Sequence, residues 1–263
     1  MKHFFILFLV SVFLFVSCAT ESDFEEEQKS TTPGLIQISL IDALLQGFFD
    51  GYYPIGEFKK LGDIGIGTFD ALDGEMIVLN DTVFQVLSTG EIAYPSDTVL
   101  TPFASIAPWS PDTLFQMEQI SFDSMKANFD TYFPTPNIFY SVMIKGKFRS
   151  MKTRSVPRQE KPYPGLAEVA KHQPEFSFTN TSGVIVGFFS PAYSAGIGVD
   201  GFHLHYLTDD RRGGGHILAF DLTEGTMELG YLFRLQLIFP EGGDFFGGDF
   251  AVDRSEDLDS AEK

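Results

Sequence analysis

Three histidines stand close together in the second half of a 263-residue chain that contains only five. Two of them, His203 and His205, lie in a segment (202–207) in which apolar and polar residues alternate, and this pattern predicts a β-strand. Side chains two residues apart in a strand project from the same face, roughly 7 Å apart. The Gly-rich stretch 208–215 predicts a turn into a second strand, which places His216 across from the pair. Three imidazoles with no fourth protein ligand nearby are typical of a catalytic metal site with open positions, and such ligands suit zinc first, then copper, iron or nickel.

Six ordered motifs surround or precede these histidines. They are SPAY at 190–193, GIGV at 196–199, GFHLH at 201–205, GGGH at 213–216, GTFDALDGEM at 67–76 and KTRSVP at 152–157. Together they resemble the acetolactate decarboxylase family over roughly residues 35–239. The resemblance implies two sheet-rich portions that pack face to face around a metal, and a homodimer.

The resemblance also implies roles for four residues outside the histidine segment. Glu75 matches a glutamate in the active site beside the metal, and Thr68 matches a threonine that lines the same pocket. Arg154 matches an active-site arginine, and Glu262 corresponds roughly to a C-terminal glutamate that folds back over the site. Considered without the resemblance, Glu75 would be a surface carboxylate at the head of a hairpin. Arg154 would be a solvated residue at a strand end.

These residue types suit the removal of CO2 from a β-keto acid. A three-histidine metal acts as a Lewis acid, an arginine fork binds a carboxylate, and a glutamate transfers a proton. The hypothesis is that (S)-2-acetolactate binds the metal through its hydroxyl and ketone oxygens and loses CO2. A metal-stabilised enediolate results, and Glu75 protonates it to give (R)-acetoin. Two alternatives remain open: another metal-dependent lyase or hydrolase on the same scaffold, and a non-catalytic metal-binding surface lipoprotein.

The N-terminus is typical of an exported protein. Residues 1–17 combine a positively charged start with an apolar run that is short for a membrane span, and the only cysteine, Cys18, follows a small residue. This resembles a bacterial lipoprotein signal, which predicts lipidation of Cys18 and anchoring to a membrane, periplasmic or at the cell surface. A non-cleaved anchor and a plain secretory signal are the alternatives. Residues 18–34 are mostly polar and predict a flexible tether.

The charge of the chain argues against nucleic acid as a partner. The formal net charge is −18, from 36 acidic and 18 basic residues, and no basic cluster interrupts the acidic background. The glycines at 62–67 match no nucleotide-binding fingerprint, which argues against a nucleotide-dependent redox enzyme. The predicted partner is therefore a small-molecule substrate.

The secondary-structure pattern predicts an α+β fold, with two sheet-rich portions of mixed or antiparallel strands, few helices, and the metal site on strands of the C-terminal portion. Helices are predicted at 39–49 and 121–129, and hairpins at 75–79/82–87, at 138–144/148–156 around Lys145-Gly146, and at 216–222/227–239 around Glu224-Gly225. Short turns between strands argue against alternating βαβ units. A Pro-rich stretch at 157–174 predicts a boundary between an N-terminal domain, 35–160, and a C-terminal metal-binding domain, 161–263.

Overall fold

Two β-sheets dominate the part of the chain that the structure, a computed structural model, describes, which is residues 32–262. The predicted signal at 1–17, the predicted lipidation site Cys18 and most of the predicted tether lie outside the described residues. Within residues 32–262 the strands are β1 Gly34–Ile38, β2 Tyr53–Pro54, β3 Ile64–Thr68, β4 Glu75–Leu79, β5 Thr82–Val86, β6 Ile92–Ala93, β7 Leu100–Thr101, β8 Ala104–Ala107, β9 Thr113–Ser121, β10 Phe139–Arg154, β11 Glu175–Ser190, β12 Gly201–Thr208, β13 Gly214–Leu232 and β14 Arg234–Ile238.

The helices are few and short, as predicted for this fold class. They are α1 Ile41–Leu45, α2 Ile55–Phe58, α3 Phe122–Ala127, α4 Phe129–Tyr132, α5 Leu166–Ala170 and α6 Ser255–Glu262, with 3-10 turns at Lys59–Leu61, Asp70–Leu72, Ala192–Ser194 and Gly243–Gly247. Within residues 32–262, every helix is too short or too polar to serve as a membrane span.

Both predicted helices are shorter in the structure than the sequence pattern suggested. The first begins at Ile41, with Leu40 as the cap residue, and ends at Leu45, before Gly47 takes a left-handed conformation (φ +85°). The second begins as predicted, with the Ser121 hydroxyl accepting a hydrogen bond from the Ser124 amide. The spacing of apolar residues therefore predicted where the helices lie, but it did not predict the residues at which they end.

The first sheet has seven strands in the order β14-β1-β8-β3-β4-β5-β6. Its pairs are antiparallel except for β1 and β14, which run parallel. The predicted hairpin at 75–79/82–87 is confirmed as β4 and β5, which turn at Asn80-Asp81, both with positive φ. One face of this sheet packs on the second sheet through an apolar layer that includes Ile66, Ile77 and Phe84.

The second sheet is built from the long strands β10, β11 and β13 together with β12 and β9. Because β10 pairs with β13 as well as with β11, and β12 pairs with both β11 and β13, these four strands form a closed ring. Alternate residues of β10, such as Tyr140, Val142 and Ile144, fill the interior of the ring with the other buried aromatic and aliphatic residues of that cluster. The intervening residues, such as Met143, face the first sheet.

Two predicted hairpins are wrong, because each is one continuous strand. Lys145-Gly146 lies inside β10 and Glu224-Gly225 lies inside β13, and the two glycines are direct partners across the sheet. A Cβ atom added to Gly146 would lie 2.5 Å from the Glu224 carbonyl oxygen. The glycines therefore serve close approach of two backbones and not a change of chain direction.

The two sheets do not divide at residue 160, where the sequence predicted a domain boundary. Strand β10, from the predicted N-terminal domain, is central to the second sheet, while β14, from the predicted C-terminal domain, lies at the edge of the first. The predicted boundary was drawn from composition, and composition does not reveal which strands far apart in the sequence pair with each other.

Candidate active site

The hairpin of β12 and β13 gathers the three histidines that the sequence singled out. His203 and His205 project from one face of β12, and His205 is the direct cross-strand partner of His216 on β13. The centroids of the three rings lie 5.1–5.4 Å apart. One nitrogen from each ring lies within 4.8 Å of the other two, so small side-chain movements bring all three to one ion.

The hydrogen bonding of His205 prepares it to coordinate a metal. Its Nδ1 donates to the Met76 carbonyl oxygen of β4 at 2.8 Å, which leaves the lone pair on Nε2 free. That Nε2 atom is buried and has no hydrogen-bond partner among the described residues. A backbone carbonyl that orients the far side of a ligating imidazole is the usual support for a metal-binding histidine. The donor set therefore fits a divalent metal ion.

Burial keeps the three imidazoles in the neutral form that binds metal. It lowers the pKa of His205 to about 3. The pKa of His203 is well below its usual range, mainly because of burial and secondly because of the neighbouring His205. The pKa of His216 is also well below its usual range, mainly because of burial and secondly because of the positive charge of Arg154. At neutral pH, protons therefore do not compete for these nitrogens.

A row of cross-strand neighbours extends the histidine cluster. Arg154, the last residue of β10, lies directly opposite His216, which in turn lies opposite His205. The Arg154 side chain is buried, and its nearest ionic partner is Glu262, with Nη2 and Oε2 3.5 Å apart. Its Nε is buried without a hydrogen-bond partner among the described residues. The guanidinium therefore keeps donor capacity for a further ligand.

The first sheet contributes Glu75 and Thr68, which are direct partners across β3 and β4. Glu75 Oε2 lies 3.5 Å from His205 Nε2, so the two sheets meet at this point. The buried Thr68 hydroxyl donates to the Gly74 carbonyl oxygen at 2.7 Å and ties down the residue before Glu75. Burial raises the pKa of Glu75 to about 8, although Arg154 opposes this rise. Burial therefore favours the protonated form of this carboxyl group in the metal-free protein.

Glu262 closes the cluster from the end of helix α6. Its Oε2 lies 3.8 Å from His203 Nε2 and 3.6 Å from His216 Nδ1, in addition to its contact with Arg154. Leu258 and Ala261 hold the helix in place, because both are buried in the apolar cluster that also contains α1 and α5. Burial raises the pKa of Glu262, and Arg154 opposes the shift.

These side chains line a cavity in which the centre of a water molecule can occupy about 30 Å³, and Glu262 forms part of its wall. Its apolar walls include Leu72 and Val156, and its polar lining is Thr68, Glu75, Arg154, Gln173, His203, His216 and Glu262. Gln173 is a lining residue that the sequence did not predict, because a single glutamine before a proline has no distinctive pattern.

The sequence matches the model of one protein family, described as alpha-acetolactate decarboxylase, over residues 35–252. The chain belongs to the alpha-acetolactate decarboxylase family. The family match ends before helix α6, so Glu262 lies beyond the matched residues.

Members of the alpha-acetolactate decarboxylase family resemble this chain over most of their length. The relative from Methanosarcina mazei is 42% identical over 233 residues, which cover 87% of this chain and 80% of the relative. The relative from Methylococcus capsulatus is 38% identical and covers 87% and 88%. The crystal structure of the Bacillus subtilis strain 168 enzyme superposes with a TM-score of 0.84 at 34% identity, covering 87% of this chain and 99% of that one.

The structure brings together all seven residues that the sequence predicted for the active site, and Cys18, the predicted lipidation site, lies outside the described residues. The three histidines and Arg154 come from the second sheet, Glu75 and Thr68 from the first, and Glu262 from α6. The prediction that the histidines lie on strands of the C-terminal portion is confirmed by β12 and β13.

Proposed function

We propose that this protein is a lyase that converts 2-acetolactate to acetoin and CO2 in the cavity between the two sheets. The observation that carries the proposal is the cross-strand row of Arg154, His216 and His205, with Glu75 facing it from the other sheet, in a chain of the alpha-acetolactate decarboxylase family. Arg154 is a cation that can bind a carboxylate, the histidines can bind a metal, and Glu75 can donate a proton. All of them lie around one small space.

His203, His205 and His216 would hold the metal, which we propose to be zinc because a buried set of three neutral imidazoles suits that ion best. A divalent ion held there supplies a Lewis acid beside the oxygen atoms of the substrate. Met76 supports this function because its carbonyl fixes the ring of His205.

Arg154 is proposed to bind the substrate carboxylate and to set the direction in which CO2 leaves. Its planar fork suits a carboxylate, and its buried Nε has no partner among the described residues. The Glu262 carboxylate, 3.5 Å from Nη2, competes for the same guanidinium. A bidentate carboxylate would therefore bind the free Nε and compete with Glu262 only for Nη2.

Glu75 is proposed to deliver the proton that completes the reaction. When the bond between C2 and the carboxylate breaks, its electron pair moves toward the neighbouring ketone oxygen, and C2 then needs a proton. In the metal-free protein, burial raises the pKa of Glu75 to about 8, which favours a carboxyl group that can donate a proton. Its fixed position on β4, secured by the Thr68 hydroxyl at Gly74, favours protonation of one face and hence one enantiomer, proposed to be (R)-acetoin.

The direct test is to incubate the purified protein with racemic 2-acetolactate and to measure CO2, acetoin and the acetoin enantiomers by chiral chromatography. A buffer blank gives the uncatalysed rate. The proposal predicts acetoin release above the blank rate, with one acetoin enantiomer as the product. Acetoin formation at the blank rate by the metal-loaded protein would contradict it.

The N-terminal features support a location outside the cytoplasm. The apolar run at 1–17 and the cysteine after it favour an exported lipoprotein with a membrane anchor on Cys18, and the family resemblance favours a homodimer. Labelling of cells that express the wild type or Cys18→Ser with a radioactive fatty acid tests the anchor, because only the wild type should carry the label. Light scattering of the purified protein tests the dimer.

A further inference from the structure

Gln173 is held beside Arg154 at the wall of the cavity by the local chain. It lies between helix α5 and strand β11, and Pro174 after it restricts Gln173 to an extended backbone. The Pro174 carbonyl accepts a hydrogen bond from the Ser155 amide at 3.2 Å, which joins this segment to the end of β10. The position of Gln173 relative to Arg154 is therefore set by backbone contacts.

The side-chain oxygen of Gln173 is buried and has no hydrogen-bond partner among the described residues. Buried acceptors without a partner are costly, and native proteins keep few of them. Three of the five such side-chain atoms in the described residues belong to this one site: Arg154 Nε, His205 Nε2 and Gln173 Oε1. All three belong to residues of the proposed site, where bound groups can satisfy them.

Two of these atoms already have a role in the proposed reaction, and the chemistry of the third is different. Arg154 Nε donates, which suits a carboxylate, and His205 Nε2 suits a metal. Gln173 Oε1 only accepts, so it needs a donor. The carboxylate and ketone groups of 2-acetolactate only accept, and its tertiary hydroxyl is the one donor that it offers.

One oxygen of each acidic side chain in the site is already engaged by neighbouring groups, whereas Gln173 Oε1 has no partner among the described residues. Glu262 Oε2 lies within 3.8 Å of Arg154, His203 and His216, and Glu75 Oε2 faces His205 at 3.5 Å. We propose that Gln173 accepts a hydrogen bond from the substrate hydroxyl through its amide oxygen. It thereby selects 2-hydroxy-3-oxo acids over 3-oxo acids that lack the hydroxyl. The inference rests on the proposed function.

The inference is tested with two stable acids of nearly the same shape, 2-hydroxy-2-methylpropanoate and 2,2-dimethylpropanoate, which carry a hydroxyl and a methyl at the same position. Each is measured as a competitive inhibitor of acetoin release by the metal-loaded protein, and its binding is measured by calorimetry. Gln173→Met keeps the length of the side chain and removes the acceptor. Gln159→Met is the matched control, because that half-buried amide donates to the Pro157 carbonyl outside the cavity lining.

Gln173→Met should lower the preference for the hydroxy acid by about tenfold or more, since a site built to bond a hydroxyl discriminates strongly. Its affinity for 2,2-dimethylpropanoate should stay within about twofold, and Gln159→Met should keep both constants. An unchanged preference, or a parallel loss of affinity for both acids, would overturn the inference. Gln173→Leu repeats the comparison if the methionine variant does not fold. Failure of the proposed function would show separately, as a wild-type protein that binds the acids in the calorimeter but releases no acetoin.

Discussion

Replacement of Arg154 by methionine tests how the substrate is held. The guanidinium is buried, has an unpartnered Nε and makes one long contact of 3.5 Å with Glu262, so most of its bonding capacity is left for a ligand. Two charge-assisted hydrogen bonds to a carboxylate, at about 1.5–3 kcal/mol each, amount to about 3–6 kcal/mol. Because about 1.36 kcal/mol corresponds to a tenfold change in rate, kcat/KM should fall by about 10²–10⁴.

The assay is acetoin release at several concentrations of 2-acetolactate, with the metal content of each variant measured in parallel. Arg154→Lys should lose less activity than Arg154→Met, because it keeps the charge and gives up the planar fork. Lys152→Met is the matched control two residues earlier on β10. Lys152 is exposed, and its 2.7 Å pair with Glu175 is a surface contact of small energetic value. The control should keep wild-type kinetics.

A folded, metal-loaded Arg154→Met protein with kcat/KM within about threefold of the wild type would refute this reasoning. The substrate carboxylate would then be bound by other groups, and the unpartnered Nε would need a different explanation.

Three further predictions concern proton transfer, pH and the core. Glu75→Gln should lower kcat by about 10²–10⁴ while the metal content stays at the wild-type level, and activity close to the wild type would show that the proton comes from elsewhere. In the metal-free protein the pKa of the three site histidines is lower in the folded state than in the unfolded state, where it is about 6.5. The unfolded state therefore binds more protons below about pH 6.5, and the free energy of unfolding should fall as the pH drops through that value in urea titrations. Glu75, whose folded pKa is about 8, works in the opposite direction. Its contribution to the free energy of unfolding is present at low pH and is lost as the pH rises from about 4.5 to about 8. The free energy of unfolding of Glu75→Gln should therefore fall more steeply with decreasing pH than that of the wild type. Phe148→Ala, which empties the interior of the strand ring beside Tyr206, should cost about 3–5 kcal/mol of unfolding free energy, whereas the exposed Phe246→Ala should cost little; equal effects would contradict the assigned core.

The histidine cluster was predictable because its geometry is local. The two-residue period of a strand puts His203 and His205 on one face, and a short Gly-rich loop returns the chain beside them at His216. Pairing of distant strands has no such local pattern. The approach of Arg154 to His216 depends on β10 lying beside β13, which the sequence suggested only through its resemblance to a family.

Turn signals were the main source of error in the fold. Gly146 and Gly225 each follow a charged residue, a pattern common in turns, yet both lie inside long strands and face each other. A glycine permits a turn and permits close backbone contact equally well, so composition alone could not separate the two. Gln173 was missed for a related reason, because only its burial and its unpartnered oxygen distinguish it.

His203, His205 and His216 are proposed to hold one divalent ion on which decarboxylation depends. The most direct measurement is elemental analysis of the wild type and of His205→Ala, made on the same samples that are assayed for acetoin release. The wild type should contain about one metal ion per chain and lose acetoin release when a chelator removes it, and His205→Ala should lack both the ion and the activity. Full acetoin release by His205→Ala with no metal bound would contradict the account.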